Sequence, residues 1–200
     1  MGNLTKQPVR VHVFIDGYNV YVPLAKHYNA TGENYKWVDY RKVATKLLAT
    51  NHQFNGYQTK DLQVSFFTAL PTWNDKKKER HELFVEACKL QDIDVYEGRF
   101  NRNRDEKETD ISIAIELYRQ ASKNLYDVAI LLTGDTDFVP CIKAFREDFP
   151  EKAIFVVTPP QVQKCTALEK ALGKPLISTT VGLYGSCQLS PQLAIKSPYL

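Results

Sequence analysis

Hydrophobic residues recur along this chain with two alternating periods. "VRVHVFID" (9–16), "LQVSFFTAL" (62–70), "DIDVYEGRF" (92–100), "DVAILLTG" (127–134) and "AIFVVTP" (153–159) are short apolar or alternating runs with the composition of strands. The unbroken apolar ends of the first and fourth predict burial on both faces. Between the runs, apolar positions fall three and four apart, as on one face of a helix. Such stretches lie around Tyr21–Tyr28, then at "VDYRKVATKLLAT", "KKKERHELFVEACKL", "TDISIAIELYRQAS", "DFVPCIKAFRE" and "QKCTALEKAL". Val43, Leu47 and Leu48 make one inward stripe, and Leu83, Phe84, Ala87 and Leu90 another. Thr109 or Asp110 is expected to cap the helix after the third strand. Pro71 and Pro159–Pro160 stop strands, and "PLISTT" reads as a short last one.

Strands alternating with helices of ten to fifteen residues predict an α/β fold. The expected architecture is a doubly wound, mainly parallel sheet of five to six strands with helices on both faces and right-handed crossovers. No repeat or linker interrupts it, so residues 1–187 are expected to form one domain and 188–200 a tail. No run of about eighteen apolar residues suggests a membrane span, and "MGNLTKQPVR" lacks the apolar middle of a signal peptide. The four cysteines contain no C-x-x-C pair, and Cys88 and Cys141 sit in apolar helical patterns, as buried free thiols do. The four histidines form no H-E-x-x-H. These features predict a reduced cytoplasmic protein. The net charge of +3 says little, but the bases gather at "NDKKKERHE" and "GRFNRNRDEK".

Acidic residues mark where chemistry is expected. In a doubly wound sheet the carboxyl ends of the strands open on one edge, and ligands bind there where the strand order reverses. Asp16 closes the first strand in "VFIDGYN", and Asp135 and Asp137 follow the fourth in "LLTGDTDF". The intervening helix starts from the same edge, which brings Asp110 there too. Asp110 heads the stripe Ile113, Ala114, Leu117 and Ala121, a costly place for a carboxylate without neutralisation. Asp16, Asp110 and Asp137 also fit the role of N-caps, worth about 1 kcal/mol each, and a capping carboxylate keeps one oxygen free. Together the four repel one another unless a cation sits between them. Oxygen ligands without His or Cys point to Mg²⁺ or Mn²⁺, which activates water for phosphodiester hydrolysis. Asn19, in the turn after Asp16, either orients a water or phosphate or caps the next helix. Gly17 and Gly134 allow tight turns beside the acids, and Glu116 is expected at the surface or behind the ligands.

"VFIDGYNVY", "KETDISIAIELYRQA" and "VAILLTGDTDFVPCIKAF" resemble the NYN domain of the PIN-like nuclease superfamily, in its bacterial DUF88/LabA-like branch. The likeness spans roughly residues 9 to 160, with three motifs in order and spacing. It implies a PIN-like sheet in which the third, second, first, fourth and fifth strands lie side by side. It also implies a metal-dependent nuclease acting mainly on RNA. The family's motif aspartates fall on Asp16, Asp110, Asp135 and Asp137, its asparagine on Asn19, and its lysine on Lys107. This chain departs from the pattern with "ET" in place of Gly-Val before Asp110, which brings Glu108 toward a polyanion's path. Glu116 stands where many relatives carry Asp.

A nuclease must hold phosphates near its metal. Arg99, Arg102, Arg104 and Lys107 follow the third strand at the same edge, and Lys76 and Lys77 open the helix after the second. Tyr18, Tyr21 and Trp73 are placed to stack on bases. Two other readings compete: an RNA-binding or regulatory module that keeps the fold without catalysis, and a phosphatase or D-x-D glycosyltransferase. Against the latter, D-G-Y-N lacks the D-x-D-G-T nucleophile of haloacid-dehalogenase phosphatases. A homodimer is compatible with a domain of this size.

Overall fold

Alternate side chains of the first strand feed two separate cores. In the computed structural model, which describes residues 7–101, 106–162 and 165–190, strand β1 (Gln7–Asp16) sends Val9, Val11, Val13 and Ile15 to one face and Phe14 to the other. The chain continues through α1 (Gly17–Thr31), α2 (Tyr40–Thr50), β2 (Tyr57–Ala69), α3 (Asp75–Lys89), β3 (Asp94–Phe100), β4 (Glu106–Lys107) and α4 (Thr109–Ser122). It closes with β5 (Val128–Leu132), α5 (Val139–Asp148), β6 (Ala153–Thr158), α6 (Thr166–Leu172), β7 (Ile177–Ser178) and α7 (Val181–Gly185). Residues of α1, α2 and α7 pack into the first core, and those of α4, α5 and α6 into the second.

The sheet order is β4-β3-β2-β1-β5-β6-β7. All neighbouring pairs are parallel except β3 with β4. The expected doubly wound sheet is therefore present, with β1 beside β5 where the order reverses. Every residue of β5 is buried, as its unbroken apolar run requires.

Several local expectations give way to tertiary forces. The first helix begins at Gly17 and runs to Thr31, where Gly32 adopts a left-handed conformation (φ 79°) and its N–H bonds the Tyr28 carbonyl. Strand β2 starts at Tyr57 because its polar beginning pairs with Gln7 to Arg10 of β1; ladder hydrogen bonds, not burial, extend it. On α3 the buried face carries Val85, Ala87 and Cys88, while Leu90, at the helix end, is 61% exposed. Helix α4 has neither Thr109 nor Asp110 as its cap: Glu108 occupies that position with φ 74° and makes no side-chain capping bond. Of the two thiols expected in the core, Cys88 is buried and Cys141 half-buried. The packed chain also passes the expected boundary at 187, since Gln188 bridges to Val38 and Leu189 is buried.

Candidate active site

Asp16 ends β1 at 4% exposure, and both of its oxygens are engaged. Oδ1 accepts the Asn19 N–H at 3.1 Å, which caps α1, and Oδ2 accepts the Thr133 hydroxyl at 2.9 Å. Capping and site-building thus coincide in one carboxylate. Thr133 follows β5 directly, and its hydroxyl oxygen accepts the Asp135 N–H at 3.2 Å. Asp135 Oδ1 in turn accepts the Asp137 N–H at 2.9 Å and caps a single 3-10 turn, Thr136–Phe138. Hydrogen bonds therefore run unbroken from the end of β1 to the second aspartate of G-D-T-D.

Asn19 does not cap α1, since Asp16 does. Its side-chain oxygen accepts the Gly134 N–H at 2.9 Å, fastening the start of α1 to the turn after β5. Gly17 is required beside it: a Cβ there would stand 2.5 Å from the Phe66 ring and 2.6 Å from the Phe67 carbonyl oxygen.

Asp110 lies in the first turn of α4 and reaches the rim from the other face of the sheet. Burial of its carboxyl raises its pKa above the ordinary value, and the charges of Asp135 and Asp137 raise it further. Asp110 thus feels the charges of both aspartates of G-D-T-D. Asp110 is itself exposed, and the stripe behind it, Ile113, Leu117 and Ala121, is buried. Its cost is therefore partial burial of the carboxyl at the rim first and repulsion by its neighbours second. Glu116 is not at the surface. At 8% exposure it accepts hydrogen bonds from Tyr96, Arg119 and Gln120.

Among the described residues, no three Asp, Glu, His or Cys side chains close round one point tightly enough to cage an ion. The carboxylates at the rim are instead an open set of oxygen donors. That set suits a hard divalent cation that keeps several waters, and not a closed thiolate or imidazole site.

The expected phosphate contacts divide. Arg99 donates from Nε to Glu108 at 2.7 Å, so the acid noted near the substrate's path holds this base. Lys107 is exposed and pairs with Arg99 across the β3–β4 ladder. Lys76 and Lys77 are exposed in the first turn of α3. Arg102 and Arg104 lie outside the described residues. Thr133 went unnoticed in the sequence, where its only signal was a hydroxyl residue directly before G-D-x-D.

A model of the NYN domain family matches residues 10–172. The chain belongs to the NYN domain family. NYN is one of the families of the PIN-like nuclease superfamily, so the fold is of nuclease type. A curated relative is 6-hydroxy-3-succinoylpyridine 3-monooxygenase HspA of Pseudomonas putida, 24% identical over 82% of this chain. The chain spans 64% of that relative's length. Among solved structures, a protein of unknown function from Vibrio parahaemolyticus, VPA0982, superposes with a TM-score of 0.56 at 16% identity. That match covers 88% of this chain and 96% of the other, and it is a likeness of fold.

Proposed function

We propose that this NYN protein is a metal-dependent nuclease acting on single-stranded RNA, with Mg²⁺ or Mn²⁺ held by Asp16, Asp110, Asp135 and Asp137. The observation that carries this reading is the electrostatic coupling of Asp110 to Asp135 and Asp137 at the rim where Asp16 ends β1. Asp110, whose proton affinity is raised by burial and by the charges of Asp135 and Asp137, stands at a rim that a divalent ion would relieve. A bound ion supplies a nucleophilic water at neutral pH and charge stabilisation for the phosphoryl oxygens.

The chain's own residues do the rest. Thr133 and the Asn19 N–H orient Asp16, and the Asp137 N–H orients Asp135, so these carboxylates are held before any substrate arrives. Asn19 keeps the Gly134 turn against α1 and positions the G-D-T-D segment. Lys107, Lys76 and Lys77 supply positive charge for the phosphates.

Purified protein incubated with single-stranded RNA and Mn²⁺ should cleave it. An Asp135→Asn variant should lose roughly 100-fold or more in rate, and chelation of the metal should abolish cleavage by both. Equal cleavage by the two proteins would identify a contaminant and overturn the assignment. RNA binding without cleavage by either would replace it with the non-catalytic binding module. The same strand as DNA tests the sugar preference.

A further inference from the structure

One residue beyond Asp16, the carboxyl ends of β2 and β3 open into a cleft of about 390 Å³, walled by α1 and α3. Gly17, the next residue after Asp16, forms part of that wall, so the cleft adjoins the acid rim. Its aromatic content is unusual for a surface. Tyr18 and Tyr21 are each 47% exposed and Trp73 is 39% exposed, yet all three line the same space. Phe100 braces two of them, meeting Trp73 at 4.6 Å and Tyr18 at 6.1 Å, both near right angles. Rings that stay partly in water but are held in place are preorganised to stack on a flat partner.

The charges round the cleft have one sign. Lys36, Lys77 and Arg80 line it with His81, and no Asp or Glu does. Neither Lys77 nor Arg80 makes an ion pair among the described residues. His81 is fixed by a 2.9 Å hydrogen bond between its Nε2 and the Thr68 hydroxyl at the cleft floor. An occupant that is planar and aromatic, carries negative charge and fits a few hundred Å³ matches these walls.

We propose that the cleft receives one unpaired nucleotide of the substrate strand, its base stacked among Tyr18, Tyr21 and Trp73 and its phosphate facing Lys77 and Arg80. This deepens the nuclease reading and rests on it for the position of the neighbouring phosphodiester. It assigns the preference for single strands to a physical cause, because bases stacked within a duplex cannot enter the cleft.

Both tryptophans of the protein, Trp37 and Trp73, line this space, so intrinsic fluorescence reports its occupancy. The full chain in EDTA, which prevents cleavage, should show a saturable fluorescence change with a short single-stranded RNA and a much weaker one with the duplex. Tyr18→Ala should weaken binding roughly 5- to 100-fold, while Tyr18→Phe, which keeps the ring, should bind like wild type. The double variant Lys77→Ala, Arg80→Ala should bind more weakly and make the dependence of log affinity on log salt shallower by roughly one. Unchanged affinity in Tyr18→Ala, equal binding of duplex, or no fluorescence response to RNA would each overturn the cleft proposal. If RNA is cleaved while Tyr18→Ala binds unchanged, the cleft proposal alone fails. If the binding pattern holds but no RNA is cut, the nuclease reading alone fails.

Discussion

At the scale of single residues, His12 shows how burial sets charge. Its ring stacks on Phe14 with centroids 4.3 Å apart, its Nε2 lies 2.8 Å from the Ser65 hydroxyl, and its Nδ1 meets no hydrogen-bond partner among the described residues. Burial pushes the imidazole from 6.5 down to about 4. The unfolded chain binds that proton more readily, so the neutral ring contributes stability above pH 6.5 that is lost as pH falls from 6.5 toward 4. From pH 7 to pH 5 the loss should be roughly 2 kcal/mol. His12→Gln, which does not titrate, should lose that much less over the same interval in urea unfolding. Parallel pH profiles for the two proteins would contradict the assignment. Nothing in the sequence set His12 apart from the other alternating residues of its strand, because its surroundings come from α4 and β2. Asp16, Asp135 and Asp137 were legible as candidates, since each follows a strand's apolar run. Asn19 was legible as a residue of interest but not in its role, which depends on Gly134, 115 positions away.

Helices and strands carry the next level. Helix α1 must start beside the end of β5, because Asp16 caps it and also accepts the Thr133 hydroxyl, and Gly17 seats that start against β2. Gly17→Ala would set a methyl group against the Phe67 carbonyl and the Phe66 ring, and neither yields without moving the strand or the core. We expect a destabilisation of about 1–3 kcal/mol by urea unfolding, with loss of RNA cleavage larger than at a comparable core substitution. A fully active and stable variant would show that the helix start has freedom the packing denies it. The helices were readable from their apolar periodicity, but their rotation was not. Leu90 extended the stripe of α3 on paper and emerges into solvent because the helix ends at Lys89. Likewise β4 has two residues and no hydrophobic signal; it exists through its pairing with Arg99 and Phe100.

Taken as a whole molecule, the protein gathers like charges at one edge of its sheet, and the proposed function assigns a divalent counterion to them. A divalent ion that binds only the folded state stabilises it by about 2.7 kcal/mol at one hundred times its dissociation constant. For a domain of this size that corresponds to a rise in Tm of roughly 5–10 °C. Thermal unfolding in Mn²⁺ and in EDTA should differ by about that much in wild type and by far less in Asp110→Asn or Asp135→Asn. An equal shift in both variants would place the ion elsewhere.

The sequence by itself determined the α/β class, the run of strands and helices, and the acids at strand ends. Periodicity and the direction of the chain are local properties, and the parallel sheet follows from them with few alternatives. Only the tertiary structure decided which atoms meet. The bond from Thr133 to Asp16, the clasp of Asn19 on Gly134, the pairing of Arg99 with Glu108 and the aromatic cleft beside Gly17 each join or border distant segments. Such contacts arise from how packed elements set their side chains across a shared edge, and no repeat or spacing along the chain encodes that distance.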